Sequence, residues 1–508
     1  MMESKFRKTS FVAITAVINN LLMMLYGLIY NKLVIVHYGS STTGLIATLS
    51  QFAAMFTIIE GGFTLAVVVA TYKPIINEDY DELNAILYTA KTYFNKITVI
   101  YASIVMISGG MYVYYLKSPI GFVHSLVLLG LTTFTTALSI GGTAKYTVVL
   151  SGNNRQYITS IISLLVKTIT WIISLVMVIN DISIILVYSI NVLNVILNIL
   201  ALKVYEKKKY PFITYRGNYN LDKINGVKDI MFQKIASTIF TSTDLVLVSL
   251  GLSLSKASVY YVYNQIFQGV FSYLSSFGNA PIDSFGHLIS SGNNENAKYI
   301  FEIYKKTINL MSTIFFSTAA IMIIPFLKIY TRDVKDENYI IPSLATVFFT
   351  YNYLKLNNLP YGMIINVSGE FKKQNIQTGI AAVLNIGLSI ILMRFIGLNG
   401  IITGSAIGTL IIIVVNVIKA KEVLAFDLKK DIVILIFNYM LALFMIINSI
   451  YFVSISANNY FIWLLKSIVI LIAVLLIVVV CNIFIDRVEM LTCIRFYLAK
   501  LENHRKKK

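Results

Sequence analysis

Apolar stretches long enough to cross a membrane recur along nearly all of this 508-residue sequence and constrain its fold more than any other feature. A helix of roughly 20 apolar residues spans a hydrocarbon core and satisfies its own backbone hydrogen bonds. Only 13% of the residues are charged and the mean hydropathy is +0.75, whereas a soluble domain has roughly 25% charged residues. Strands of a membrane β-barrel would alternate instead. The chain is predicted to be an all-α polytopic membrane protein.

About fourteen transmembrane helices are predicted, separated by short polar connections that contain turn-forming residues. Residues 1–10 resemble the charged region of a signal peptide, but the apolar segment continues to about His37 without a small-residue cleavage site, so it is predicted to be a retained first span. The predicted spans lie at about 10–36, 43–71, 96–116, 121–150, 157–179, 183–204, 229–251, 257–288, 307–330, 339–367, 375–395, 400–420, 432–453 and 460–485.

The distribution of lysine and arginine orients these spans. With the N-terminus in the cytoplasm, the inner segments hold about 31 of the 42 Lys and Arg residues and the outer loops hold six. This bias follows the positive-inside rule and predicts that both termini are cytoplasmic. The net charge of +18 therefore does not indicate nucleic-acid binding. Two cysteines, Cys481 and Cys493, provide neither a disulfide framework nor a zinc spacing.

Two pairs of similar segments indicate an internal duplication. Residues 151–158 return as residues 368–376, with offsets of 217 residues at the Ser-Gly pair and 218 at the terminal isoleucine. Residues 37–40 lie 212 residues before the similar segment 249–252. Self-similarity at a nearly fixed period is the signature of repeats. Each repeat would contain six spans, an even number, so an axis along the membrane normal would relate the two.

The repeats predict the domain organisation. The longest inner loop, which includes Lys207-Lys208-Lys209, separates spans six and seven. Spans thirteen and fourteen have no counterpart in the first repeat. The predicted parts are a six-helix lobe at 1–204, a basic cytoplasmic linker at 205–228, a six-helix lobe at 229–423, two appended helices at 424–486 and a basic cytoplasmic tail at 487–508.

Loose patterns of small and polar residues give the chain a family resemblance. They occur in both repeats, at 38–45, 244–260, 369–374, 382–387, 397–401 and 404–408. These segments resemble polysaccharide flippases of the Wzx type, in the multidrug/oligosaccharidyl-lipid/polysaccharide exporter superfamily. The resemblance implies two six-helix bundles around a central cavity. It also implies movement of lipid-linked oligosaccharides across the cytoplasmic membrane by alternating access.

The sequence shows no sign of a cofactor or a catalytic centre. Gly251 to Lys256 lacks the second glycine and the Ser/Thr of a phosphate loop, and the four histidines are scattered. The chain is therefore predicted not to be an enzyme, with no metal and no cofactor. Transport would be driven by an ion gradient, the membrane potential or the substrate gradient.

Charges inside spans are the main candidates for a functional site, because burying one near the bilayer centre costs about 2.5 to 3.5 kcal/mol. At the 212-residue offset, Lys32 of span one and Asp244 of span seven occupy the same position in the two repeats. We expect them to face each other across the cavity. Lys32 also lies near the outer end of its span, so snorkelling to the interface is the alternative.

Cationic and polar side chains are predicted to bind a glycan pyrophosphate through charge-assisted hydrogen bonds. In span seven, Lys234, Ser237, Thr241 and Asp244 share one helix face. The alternatives are helix-to-helix hydrogen bonds for the polar groups and snorkelling for the lysines. The predicted substrate-binding residues are Lys32, Lys145, Lys167, Lys234, Lys355, Asn264 and Gln268.

Three acidic residues, Glu60, Asp244 and Asp283, are candidates for proton or sodium coupling. Glu60 precedes two glycines, and an ion pair with a nearby lysine is its alternative role. The inner loops of the repeated motif contain Arg155, Lys372 and Lys373, which either only follow the positive-inside rule or contact anionic lipid.

The predicted function is a flippase for an undecaprenyl-pyrophosphate-linked oligosaccharide, serving capsule, O-antigen or exopolysaccharide synthesis in the bacterial cytoplasmic membrane. Its predicted partners are that glycolipid, membrane lipids, H⁺ or Na⁺ and a glycan polymerase, and not nucleic acid. A cation-coupled multidrug antiporter of the same superfamily is the alternative. A membrane glycan polymerase is disfavoured because every outer loop has about ten residues or fewer, where such an enzyme would be expected to have a sizeable one.

Overall fold

The fold is described from a computed structural model, which covers residues 2–60, 62–153, 155–221, 224, 238, 242–368, 371–450 and 455–505. For residues 2–18, 283, 371–376 and 499–505 only the backbone is described. Across these ranges the regular structure is entirely helical. The predicted all-α class is confirmed.

Eight α-helices precede the basic connection at about residue 210. A 3₁₀ turn at Phe56–Glu60 follows α2, and a π-helical turn at Ser139–Thr143 joins α5 to α6. The helices are α1 (Met2–Tyr38), α2 (Ser40–Met55), α3 (Phe63–Ile76), α4 (Tyr80–Tyr115), α5 (Phe122–Leu138), α6 (Ala144–Gly152), α7 (Gln156–Ile179) and α8 (Ile184–Lys209).

The remaining described helices include long apolar segments and three short helices of eight or nine residues. They are α9 (Asp244–Gly251), α10 (Leu254–Gly278), α11 (Ile282–Ser290), α12 (Asn294–Tyr330), α13 (Pro342–Asn357), α14 (Leu359–Val367), α15 (Phe371–Ile396), α16 (Leu398–Leu424), α17 (Leu428–Asn448), α18 (Tyr460–Ile485) and α19 (Arg487–Arg505).

Eleven segments of the described chain are long and apolar enough to cross a membrane, fewer than the fourteen expected. The seventh predicted span lies mostly outside the described residues. The eighth corresponds to α10, which contains many Asn, Gln and Ser residues, and the tenth is divided at Asn358 into α13 and α14. The second was expected to be continuous but breaks after α2, where Gly62 adopts a left-handed conformation with φ of 72°.

The chain forms two compact units. Unit 1 comprises Met1–Val262 with Val334–Glu337, and unit 2 comprises Tyr263–Asp333 with Asn338–Lys508. The lobe boundaries expected from the sequence repeats stay a prediction.

In unit 1, two kinds of contact hold the N-terminal part of α2. A Cβ atom at Gly44 of α2 would come within 1.7 Å of the Leu254 carbonyl oxygen, so only glycine fits there. At the start of α2, the backbone N–H and the hydroxyl of Ser40 both donate to the Asp336 carboxylate, at 2.7 and 2.8 Å. Lys256 lies 2.8 Å from Glu337. Asp336 and Glu337 thus attach the segment Val334–Glu337 to the rest of unit 1.

In unit 2, a seam of buried amides joins the two C-terminal spans to the rest. Asn438 of α17 donates to Asn309 of α12 at 2.6 Å, and Asn482 of α18 donates to Asn438 at 2.7 Å. The Trp463 indole donates to the Met322 carbonyl at 3.0 Å. Hydrogen bonds between buried side chains hold membrane helices together. Helices α17 and α18 therefore belong to the packed core of unit 2.

Candidate functional site

Two of the predicted binding residues meet in unit 2. Lys355 of α13 donates to the Gln268 side-chain oxygen on α10 at 3.1 Å. The Lys355 ammonium also lies 4.2 Å from the ring centre of Phe271 and 5.6 Å from that of Tyr351. Asn264 lies one helical turn before Gln268 and is half-buried. A cation, an amide and an aromatic ring thus lie together at half-buried positions, next to the buried ring of Tyr351.

A large apolar groove lies on the opposite face of α13. It has a volume of about 480 Å³ and is lined by α13, α16 and α17. Its walls are aliphatic, with Val414, Ile418 and Ile436 among the exposed side chains. The Tyr439 hydroxyl, hydrogen-bonded to Thr350 at 3.0 Å, provides a polar patch in this lining. Helix α13 therefore has an apolar groove on one face and Lys355 on the other.

Unit 1 has a cavity of its own around Lys167, which lies at the middle of α7. The cavity measures about 110 Å³ and is lined by α1, α7 and α8. Tyr26 stacks on Trp171 with ring centres 4.4 Å apart, and the Trp171 indole donates to the Tyr26 carbonyl at 3.0 Å. Asn191 and Thr170 also line the cavity. No described carboxylate lies within 4 Å of the Lys167 ammonium.

The predicted pairing of Lys32 with Asp244 stays a prediction. Asp244 is the first residue of α9, is 6% exposed and accepts a hydrogen bond from Tyr260 at 3.0 Å. Lys32 lies on α1 and is half-buried. Glu60 ends the 3₁₀ turn and accepts a hydrogen bond from Thr64, and no described lysine pairs with it.

Lys145 lies at the end of unit 1 where residues 210–221 pack. Its ammonium is 5.0 Å from the ring centre of Tyr146 and 5.9 Å from that of Tyr215. Arg155, from the repeated motif, lies over the Tyr210 ring at 5.9 Å. The arginine of this motif thus packs against the connection after α8.

Solved structures reveal which fold this arrangement belongs to. Neither a family model nor a curated protein matches the sequence. An inward-facing MATE-family multidrug transporter of the MOP superfamily matches at TM-score 0.64 and 13% identity, covering 80% of this chain and 98% of that one. The lipid II flippase MurJ matches at 0.63 and 18%, with coverage of 92% and 98%. A eukaryotic MATE transporter matches at 0.57 and 15%, with coverage of 87% and 99%.

The chain has the MATE and MurJ fold. Together with the eleven apolar helices, this fold makes it a multi-pass membrane protein. The compared proteins are transporters and a flippase. At these identities the likeness shows the fold, and it does not distinguish the Wzx branch from the others.

Some predicted residues of this MATE/MurJ-type chain have no described side chain. Lys234, Ser237 and Thr241 lie outside the described residues. The backbone of Asp283 lies in α11 and that of Lys372 and Lys373 lies in α15, but the side chains of all three are outside the described part. Their roles stay predictions.

The sequence did not indicate a charge cluster in unit 2. Lys305 of α12 pairs with Asp431 of α17 at 2.5 Å, and the two residues are 9% and 6% exposed. Lys306 lies 3.6 Å from Asp486, and Lys430 lies 3.3 Å from Asp486 and 2.6 Å from Glu489. Since the predicted spans began at residues 307 and 432, these charges were assigned to inner loops. No sequence signal marked them as buried partners, because Lys305 and Asp431 are 126 residues apart.

Burial and charge partners shift the titration of this cluster. Burial alone would raise the pKa of Asp486, but hydrogen bonding with Glu489 and the charges of Lys306 and Lys430 lower it overall. Burial raises the pKa of Glu489. It also raises the pKa of the nearby Cys493 thiol to about 11. This thiol remains protonated at neutral pH and is a poor nucleophile.

Proposed function

We propose that the protein is a flippase that moves an anionic, lipid-linked oligosaccharide from the inner to the outer leaflet by alternating access. The substrate class is an undecaprenyl-pyrophosphate-linked repeat unit used for capsule, O-antigen or exopolysaccharide synthesis. The observation that carries the proposal is the two-faced helix α13, with the apolar groove on one face and Lys355 on the other.

The groove suits a polyprenyl chain. Its lining is aliphatic over three helices, and burying each methylene group of a ligand contributes about 0.8 kcal/mol. A volume of about 480 Å³ is also within the usual range of pockets for drug-sized molecules, so the aliphatic lining over three helices, and not the volume, is what favours a hydrocarbon chain. A long flexible hydrocarbon would contact all three helices at once.

The opposite face suits a phosphorylated sugar. The Lys355 ammonium would donate charge-assisted hydrogen bonds to a phosphate, and Gln268 would bond sugar hydroxyl groups. The ring of half-buried Phe271 offers a face on which a sugar ring can pack, whereas Tyr351 is 7% exposed and supports the Lys355 ammonium from within the core. In unit 1, Lys167 with Tyr26, Trp171 and Asn191 offers the same combination of groups.

The second candidate function is cation-coupled multidrug export. Buried Asp244, bonded to Tyr260, is the observation that favours it, because a buried carboxylate is suited to binding a proton or a cation. The multidrug transporter of the same fold is consistent with this candidate. For it, Asp244 rather than Lys355 would be the essential residue.

A reconstituted assay separates the two functions. Purified protein in liposomes should translocate a fluorescent undecaprenyl-pyrophosphate oligosaccharide, and Lys355→Ala should slow this by about 10- to 100-fold, the value of a charged hydrogen bond. Lys466→Ala is the matched control, because Lys466 lies at an exposed position of the same unit and, among the described residues, donates to the Ser456 carbonyl alone. Equal rates for wild type and Lys355→Ala would contradict the role of Lys355. Ion-driven drug efflux without glycolipid movement would support the antiporter.

A further inference from the structure

Residues 210–221, here called the strap, are fastened along α4 of unit 1. The Asn84 side chain donates to the Phe212 carbonyl at 3.0 Å and accepts from the backbone N–H groups of Thr214 and Tyr215, at 2.7 and 3.1 Å. Farther along, the backbone N–H of Asn220 donates to the Thr89 hydroxyl at 3.1 Å. The sequence predicted only a linker here, but the strap is a fixed part of unit 1.

The strap holds Tyr215 in an unfavourable backbone conformation. Its φ is 51°, which costs a non-glycine residue about 1 kcal/mol or more. Gly217 follows with a φ of 150°, and a Cβ atom there would lie 2.7 Å from the Ala85 Cα atom. The Tyr215 hydroxyl donates to the Glu206 carboxylate at 2.5 Å. Burial and the nearby Glu206 raise the pKa of Tyr215, so its hydroxyl stays a donor. The Tyr215 ring is therefore fixed in place.

Two ammonium groups share this one ring. Lys91 of α4 lies 5.8 Å from the Tyr215 ring centre, and Lys145 of α6 lies 5.9 Å from it. In the part of the chain that the structure describes, no carboxylate lies within 4 Å of either lysine. The nearest acid, Glu206, already accepts the Tyr215 hydrogen bond, and Lys203 adds a third positive charge nearby. Each cation–π contact offers only about 0.5 to 1 kcal/mol. Two like charges are thus held together, and Glu206, whose charge acts on Lys145, lies beyond ion-pair distance of both lysines.

We propose that Lys91 and Lys145, over the Tyr215 ring, form a binding site for a phosphoryl group. The two ammonium groups would donate charge-assisted hydrogen bonds to its oxygens, and the anion would relieve their mutual repulsion. The site itself does not depend on the proposed function, but the identity of the molecule that carries the phosphoryl group does. For a flippase, this group is the pyrophosphate of the glycolipid before transport. Free pyrophosphate and an anionic lipid headgroup offer the same chemistry.

The test measures binding without transport. Wild-type protein in phosphatidylcholine nanodiscs is titrated with inorganic pyrophosphate, and a second sample contains phosphatidic acid in the nanodisc instead. Either ligand should raise the thermal unfolding midpoint above that in sodium chloride of equal ionic strength. Lys91→Gln and Lys145→Gln should each weaken binding by about 10-fold. Lys96→Gln is the matched control, since Lys96 lies 4.9 Å from the strap residue Tyr219 but outside the pair and should bind as wild type does.

The outcomes are separable. A shift with either ligand that both lysine variants weaken supports the site, and which ligand acts identifies a soluble or a lipid-borne phosphate. No shift with either ligand, or equal weakening by Lys96→Gln, overturns it. Tyr215→Phe keeps the ring and should retain binding if the protein remains folded. Glycolipid flipping by a wild type that binds neither ligand would refute the site and leave the proposed function standing. Binding of either ligand without glycolipid flipping would support the site and contradict the proposed function.

Discussion

Two lysine clusters in the molecule differ in what neutralises them. In unit 2, Lys305 is paired with Asp431, and Lys306 and Lys430 flank Asp486. In unit 1, Lys91 and Lys145 share an aromatic ring and have no carboxylate within 4 Å among the described residues. The same residue type is therefore placed in two opposite electrostatic settings.

The difference separates structure from function. A buried ion pair adds little net stability, but removing one partner leaves an uncompensated charge at high cost. The cluster of unit 2 is thus expected to tolerate no single neutralisation. The ring contacts of Lys91 and Lys145 contribute only about 0.5 to 1 kcal/mol each, against the mutual repulsion of the two cations, so their placement fits a site for an anionic ligand. The next three experiments test this contrast.

The largest expected effect is at Asp431. Asp431→Asn leaves the 9%-exposed Lys305 without its charge partner and should lower the free energy of unfolding of unit 2 by about 3 to 5 kcal/mol. The two tryptophans, Trp171 and Trp463, lie in different units, so a Trp171→Phe background lets Trp463 fluorescence report unit 2 alone. The double variant Lys305→Met with Asp431→Leu should recover most of the loss. A loss below about 1 kcal/mol would remove the contrast.

A smaller effect is expected from pH. Because the pKa of Asp486 is lowered in the folded protein, its ionised form stabilises the fold above its unfolded pKa, and this is lost as pH falls through the folded pKa. Wild type should exceed Asp486→Asn in stability at neutral pH, and the gap should narrow below about pH 4. The pKa of Glu489 is raised, so its ionisation changes the stability with pH in the opposite direction. The comparison with Asp486→Asn is therefore repeated in proteins that carry Glu489→Gln. A gap that stays constant with pH would contradict the assignment.

The smallest effect is expected in unit 1. Without added phosphate, Lys145→Gln should change the free energy of unfolding by no more than about 1 kcal/mol, because relief of the repulsion with Lys91 offsets the lost contacts with the rings of Tyr146 and Tyr215. The Trp463→Phe background makes Trp171 the reporter. Lys305→Gln, measured in the other background, is the matched comparison and should be strongly destabilising. Equal losses in the two variants would show that both clusters are structural.

Periodicity and charge placement were enough to predict the helical membrane class. Helical hydrogen bonding is local, so apolar runs alone locate helices. The orientation expected from the lysines in the loops stays a prediction. The break after Glu60 was harder to predict from the sequence, because a glycine pair within an apolar run is compatible with either a continuous or an interrupted helix.

Most contacts between side chains could not be predicted from the sequence. Lys355 and Gln268 were each selected for being polar within a span, but only the packing of α10 against α13 brings them together. Lys305 and Asp431 are 126 residues apart, and no local pattern connects them. The amides Asn309, Asn438 and Asn482 likewise fall on three separate helices. That seam makes the two apparently appended helices part of the core.

The N-terminal hydrogen bond of α2 can form only late in synthesis of the chain. Gly39 offers no side chain to the start of this helix, and the carboxylate that accepts the Ser40 N–H belongs to Asp336, 296 residues later. At ribosomal rates of 5 to 20 residues per second, Asp336 emerges about 15 to 60 s after Ser40. For that interval the first turn of α2 relies on water or lipid headgroups for hydrogen bonds. Unit 1 can therefore be completed once Asp336 is made, at a time when most of unit 2 has not yet been synthesised.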